Sequence, residues 1–218
     1  MAMADKHAQA FQKITGGGLI PGVLTQVYGP PASGKTNLAL IATVECARHG
    51  RVIYIDPEGG FSTQRLKQIT GGKIQEALEN ILLVEPTTFQ EQKKALEKLD
   101  DLVPNKNTQL VVLDSVALLY RVLEEKDIKE YGRMLAQLLR IARKHEVRVM
   151  LTNQVYTNTD TNRITPVGGD QINSYWSKVI IELGFEGNQR FAKIRKHQHE
   201  KSDETIRFKI VDEGFELE

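Results

Sequence analysis

A single cysteine, Cys46, serves all 218 residues, so no disulfide can close within the chain, and such usage suits a reducing cytoplasm. No run of about 18 apolar residues is present, the length a membrane-spanning helix needs. The stretch Met1 to Lys13 has no apolar centre and does not read as a secretory signal. Neither sign of charge is in excess. The formal net charge is +1, which neither demands nor excludes a polyanionic partner, so such a partner must be argued from local patches. There is no repeat, no low-complexity tract and no linker. One domain over 1–218 is therefore expected, with 1–15 as a flexible or short helical segment. The 40% hydrophobic and 26% charged residues are ordinary for a globular chain with one sizeable core.

What the chain does have is a phosphate loop. Gly29-Pro30-Pro31-Ala32-Ser33-Gly34-Lys35-Thr36 fits G-x-x-x-x-G-K-[ST] without a mismatch. The alternating, β-rich run Val23 to Tyr28 precedes it and reads as a strand; Asn37 to Ala47 follows it and reads as a buried helix. In that setting backbone N–H groups and the helix dipole converge on an anion. The segment from Gly29 to Asn37 is thus a candidate site for ATP. Lys35 would reach the β/γ-phosphates, and the Thr36 hydroxyl would reach Mg²⁺.

Strands and helices then alternate. Arg51–Ile55, Ile81–Val84, Leu110–Leu113 and Val147–Leu151 read as strands. Phe61 to Ile69 and Phe89 to Leu102 read as helices. So does Asp127 to His145, with Ile128, Tyr131, Leu135, Leu138, Leu139 and Ala142 on one face. This rhythm predicts an α/β fold with a largely parallel central sheet flanked by helices. After Asp170 the rhythm changes. Ser177–Leu183, Arg190–Lys196 and Thr205–Val211 read as strands on short turns, one of them at Gly187-Asn188, and predict a C-terminal antiparallel extension on one sheet edge.

Two carboxylates make the phosphate site a candidate ATPase. The apolar strand Leu110 to Leu113 ends in Asp114, a position suited to a Mg²⁺ shell. Glu58, in Ile55-Asp56-Pro57-Glu58-Gly59-Gly60, emerges at the carboxyl edge of the sheet, where open α/β folds bind ligands. It could deprotonate an attacking water, with Asp56 next in line, or it could be a plain loop acid or helix cap.

The segment Tyr54 to Ser62 resembles the catalytic-glutamate stretch of the RecA-family recombinases, in their archaeal and eukaryotic branch. Leu151-Thr152-Asn153-Gln154-Val155 resembles their γ-phosphate sensor, and Pro166-Val167-Gly168-Gly169 the end of their second DNA loop. The resemblance runs from about Gly16 to the C-terminus and is nearest to short paralogues made of the core ATPase domain alone. It implies a RecA-type P-loop ATPase fold, with Glu58 as general base, Gln154 as sensor, Lys35 on the triphosphate, and Thr36 and Asp114 on Mg²⁺, the latter through water. It also implies a cis peptide at Asp114-Ser115. Arg65 resembles an arginine that packs on adenine; a solvated helix charge is the other reading.

The same resemblance implies DNA contacts from two loops, at about Tyr120–Asp127 and Val155–Gly168. Arg121 and Arg163 are candidates for phosphate and Tyr156 for base stacking. A second basic run, Arg190, Lys193, Arg195, Lys196, His197, His199 and Lys201, is a further DNA candidate or else a solvated edge strand. Tyr175 and Trp176 are expected in the core or as loop anchors, and Cys46 in the core.

Departures from the family pattern matter too. Phe11 is followed by Gln12-Lys13-Ile14, so the Phe-x-x-Ala plug of full recombinases is missing, and Asn173-Ser174-Tyr175-Trp176 stands where relatives carry a histidine that communicates between protomers. A long filament is not expected. The expected protein is a weak or DNA-dependent ATPase in the cytoplasm, away from membranes. It would bind single-stranded and also double-stranded DNA, working beside the main recombinase and other repair proteins in homologous recombination. A small-molecule phosphotransferase and a minimal strand-exchange recombinase are the alternatives.

Overall fold

The structure is a computed structural model and describes residues 2–104, 107–157, 164–199 and 204–218. In chain order the first half runs α1 (Ala2–Thr15), β1 (Leu24–Tyr28), α2 (Lys35–Ala47), β2 (Arg51–Ile55), α3 (Thr63–Ile69), α4 (Gln75–Glu79), β3 (Ile81–Val84), α5 (Phe89–Glu97), α6 (Leu99–Leu102) and β4 (Thr108–Leu113). The second half runs α7 (Leu118–Arg121), α8 (Ile128–His145), β5 (Arg148–Asn153), β6 (Val155–Thr157), β7 (Ile164–Pro166), α9 (Gly169–Trp176), β8 (Val179–Glu186), β9 (Gln189–Lys196), β10 (Thr205–Val211) and β11 (Gly214–Leu217).

The main sheet has the order β11-β10-β9-β8-β1-β5-β4-β2-β3. From β8 to β3 every pairing is parallel. From β8 out to β11 every pairing is antiparallel. Each central strand feeds two cores. On β2, Val52 and Tyr54 join the cluster beneath α1 and α2, while Ile53 and Ile55 join the cluster beneath α5 and α8. β4 divides Leu110 and Val112 from Val111 and Leu113 in the same way. Apolar side chains on both faces of a strand are what a sheet covered by helices on both sides requires.

Several elements depart from the sequence expectation. The helix read over Phe89–Leu102 divides at Lys98, where ψ falls to −12° and Asp101 N–H bonds back three residues to the Lys98 carbonyl at 3.1 Å. On α8 the Asp127 carboxylate caps Lys129 N–H at 2.8 Å, which leaves Ile128 in the first turn, where it is 43% exposed. Met134 and Ile141, absent from the expected stripe, are buried instead. β11 follows the Asp212-Glu213 turn, unforeseen because four residues are too few to show alternation. Within the second loop, β6 and β7 form a two-stranded ribbon. Residues 2–15, expected as a flexible or short helical segment, are helical. Ala10, Phe11 and Ile14 of α1 are buried in the core, and the His7 ring bonds the Phe215 carbonyl at 2.8 Å. Cys46 is only partly buried against that core.

Candidate nucleotide site and adjoining loops

Strands β1, β5, β4 and β2 are neighbours, and the segment after the carboxyl end of each contributes to one site. After β1 the phosphate loop turns into α2. Ala32 and Gly34 both take positive φ, 61° and 109°. A Cβ at Gly29 would lie 2.1 Å from the Leu183 carbonyl oxygen of β8, so the loop passes there only as glycine. Ser33 Oγ is buried without a hydrogen-bond partner, and α2 starts with no side-chain cap. An orphaned hydroxyl and uncapped helix N–H groups around a glycine cradle fit a bound phosphate. Lys35 Nζ rests on the Gly29 and Pro30 carbonyls, each at 2.9 Å, and burial holds its ammonium below the usual range.

After β4, Asp114 is only 2% exposed. Its carboxylate accepts the Tyr54 hydroxyl at 2.7 Å and the hydroxyls of Thr152 and Thr36. Burial pushes its pKa up while these three donors oppose the shift. Thr36 and Asp114 therefore already face one another with oxygen ligands, the donor set a hard divalent cation takes. The Asp114–Ser115 peptide is cis.

After β2, the buried Asp56 shapes the loop. Its two oxygens accept Glu58 N–H at 3.2 Å and Phe61 N–H at 2.7 Å. Asp56 is thus spent on backbone, and Glu58 is the carboxylate the loop presents. Glu58 Oε1 accepts the Ser115 hydroxyl and, at 2.7 Å, Gln154 Nε2. The carbonyl of the Gln154 side chain in turn accepts from the Arg121 guanidinium. Arg121 also lies 5.2 Å over the ring of Tyr156, which is 46% exposed on β6.

Arg65 is held by the protein rather than standing as a solvated helix charge. It donates to Asn37 Oδ1 and the Val211 carbonyl at 2.7 Å, the Asp212 carbonyl at 2.8 Å and Gln68 Oε1 at 3.0 Å. It therefore staples α2 and α3 to the β10–β11 turn, and Asn37 is engaged in the same contact.

The first loop is shorter than expected, since Tyr120 is buried within α7 and Arg121 ends that helix. The second loop is anchored by a buried amide network. Asn173 Oδ1 accepts Gln26 Nε2 at 3.0 Å and the Tyr131 hydroxyl at 3.1 Å. Asn153 and Asn173 both donate to the Val167 carbonyl, at 3.0 and 2.9 Å. Gly168, with φ 88°, passes so near Tyr131 that a Cβ would lie 2.4 Å from the ring. Arg163 and Lys201 lie outside the described residues.

On β9 the basic side chains have acceptors inside the protein. Arg195 pairs with Glu182, which is 5% exposed and also accepts the Tyr28 hydroxyl at 2.9 Å. Lys196 donates to the Ser174 carbonyl, and Arg190 donates to the Ala32 carbonyl at 3.2 Å. Lys193 stands opposite Glu182 in the β8–β9 register. Arg195 and Lys196 line a cleft of about 590 Å³ together with Ile164 and Pro166 of the second-loop ribbon. Tyr175 is 71% exposed rather than in the core, with its ring edge-on to the half-buried Trp176 at 4.8 Å.

Sequence reasoning missed the supports: Tyr54, Ser115, Thr152, Asn153 and Asn173. Asp56, expected only as a substitute base, carries a signal as a support in the Asp56-Pro57 turn. Tyr54 and Thr152 had none, because they meet Asp114 only through strand order.

The Rad51 family model matches residues 3–217. The DNA repair and recombination protein RadB of Methanosphaera stadtmanae is 38% identical over 215 residues, covering 94% of this chain and 92% of that protein. The protein of the same description from Methanobrevibacter smithii is 40% identical over 209 residues, covering 91% and 89%. A crystal structure of the RadB recombinase superposes with a TM-score of 0.81 at 38% identity, covering 95% of this chain and 96% of that one.

Proposed function

This chain belongs to the Rad51 family of RecA-like proteins, and on that premise we propose that it is a weakly hydrolysing ATPase that binds DNA and assists the main recombinase. The family binds nucleotide with Mg²⁺, its members are DNA-dependent ATPases, and this member acts in DNA recombination and repair. The observation that carries the reading is the convergence of Lys35, Asp114, Glu58 and Gln154 at one edge of the sheet, with Gln154 and Glu58 2.7 Å apart.

The proposed roles follow from the contacts. Lys35 leaves two carbonyls of its own loop for the β/γ-phosphates, an exchange favoured because a phosphate is charged and a carbonyl is not. Gly29 to Asn37 supply the cradle, and Arg65 fixes its rim. Thr36 and Asp114 would hold Mg²⁺, Asp114 through water; when bound, the ion neutralises charge on the phosphoryl oxygens. Both hydrogen bonds to Glu58 fall on Oε1, which leaves Oε2 to take the proton of an attacking water. DNA is bound by Arg121, Tyr156 and Arg163, together with Lys193, Arg195 and Lys196 of β9, the last two in the cleft shared with the loop ribbon. Single strands are favoured over duplex.

ATP turnover with and without single-stranded DNA tests this. Slow turnover that DNA raises supports it. Stimulation by a metabolite and not by DNA would favour a phosphotransferase, and robust strand exchange by the protein alone would make it a minimal recombinase.

A further inference from the structure

Among the described residues Arg121 has no carboxylate partner; its guanidinium is held by an amide oxygen and an aromatic face. That amide belongs to Gln154, whose other end donates to Glu58. The orientation is fixed by chemistry: an arginine only donates and a carboxylate only accepts, so the Gln154 oxygen must face Arg121 and its N–H₂ must face Glu58. The Gln154 backbone is held as well. Its carbonyl accepts Val167 N–H at 2.9 Å, and its neighbour Asn153 is buried in the amide network. The movable part is the side chain, and both of its ends are occupied.

We propose that Arg121 is a positioning residue through which a nucleic-acid phosphate resets Gln154, and with it Glu58, inside a single protomer. This rests on the ATP and DNA reading above. A phosphate is a charged, bidentate acceptor and outcompetes a neutral amide oxygen for a guanidinium, while Tyr156 beneath can keep its contact. Once Arg121 turns to phosphate, the Gln154 amide is free to address the nucleotide, and Glu58 loses one of the two donors on Oε1. The coupling needs no second subunit, and it puts Arg121 on the same path as the hydrolytic water.

The test is a binding cycle with a non-hydrolysable ATP analogue and a single-stranded oligonucleotide, joined to single-turnover hydrolysis. In the parent, saturating oligonucleotide is expected to change analogue affinity by about 5- to 150-fold, the usual span of such couplings. In Arg121→Ala that factor is expected to fall to about one at saturating oligonucleotide. Its DNA-free hydrolysis should rise to the DNA-bound rate of the parent. Arg121→Lys keeps the charge and one donor and should restore part of the response, which a merely structural loss would not allow; melting curves check that all three proteins are folded. The inference is overturned if Arg121→Ala keeps the coupling of the parent, or if its DNA-free rate does not rise. A parent that binds both ligands without coupling sinks this inference alone. A parent that binds neither ATP analogue nor oligonucleotide sinks the function proposed above, and this with it.

Discussion

The phosphate loop and strand β9 are both rich in polar groups, yet they hold them differently. The loop keeps its groups in reserve: Ser33 Oγ is unpartnered, α2 is uncapped, and Lys35 rests on carbonyls five and six residues away. β9 commits its cations across the fold, Arg195 to Glu182 on β8 and Lys196 to the Ser174 carbonyl on α9. A loop built from contiguous residues carries its geometry in the sequence. A basic strand does not, because the pleat and the neighbouring strands decide which charges reach solvent. The difference separates a site poised for a ligand from a surface whose charges also hold the protein together.

The largest expected effect is at the nucleotide end. Glu58→Gln should keep ATP affinity and slow single-turnover hydrolysis by about 10²- to 10⁴-fold, because an amide cannot take a proton. An unchanged rate would move the base elsewhere. Asp56 is not its natural heir, since both its oxygens are tied to backbone.

Lys35→Ala should weaken ATP binding by about 10- to 150-fold, the equivalent of losing a charge-assisted contact of about 1.5–3 kcal/mol. Calorimetric titration reads the affinity. The melting temperature should not fall, because burial disfavours the Lys35 ammonium in the free protein. A large loss of stability would mean that this lysine, like Arg195, is committed to the fold.

Arg195→Ala sharpens the contrast from the other side. It strands the buried Glu182 carboxylate, and after allowance for the half-exposed guanidinium it should cost about 1–2 kcal/mol. At this chain length that lowers the melting temperature by about 2–8 °C. Replacing Lys193, Arg195 and Lys196 together should reduce the slope of log affinity against log salt by less than the roughly two units of three free phosphate contacts on single strands. A full reduction with no loss of stability would show that β9 is a dedicated DNA surface.

The smallest effect lies outside both regions. Asp100 on α6 accepts from Arg140 and Lys144 of α8, and these hold its carboxyl well below the usual range. A depressed folded pKa gives stability that is complete above the unfolded value of 3.8 and lost as pH falls through the lower folded one. Asp100→Asn should therefore narrow the gap in melting temperature between pH 6 and strongly acid buffer. An unchanged gap would assign acid sensitivity to the buried carboxylates.

The parallel half of the fold was legible because buried strands such as Arg51–Ile55 and Ile81–Val84 are short apolar runs between turn residues, and both carry the expected limits. The edge was not, since β6, β7 and β11 have three or four residues each and owe their pairing to partners rather than to pattern. At the candidate site the residues with chemistry were readable from motif and resemblance. Those that hold them were not: Tyr54 reaches Asp114 across 60 positions of sequence, and Gln26 reaches Asn173 across 147. Only the folded sheet brings them within reach.

The Arg65 staple has a consequence for the order in which the protein is made. Its guanidinium closes on carbonyls 146 and 147 residues further along the chain. A ribosome delivers the phosphate loop early, but the β10–β11 turn that steadies its rim emerges only after every strand of the parallel part of the sheet. Nascent chains stalled before Val211 would carry every residue of the nucleotide motif and still lack the closed rim, so the motif and its support are separated in the time of their making.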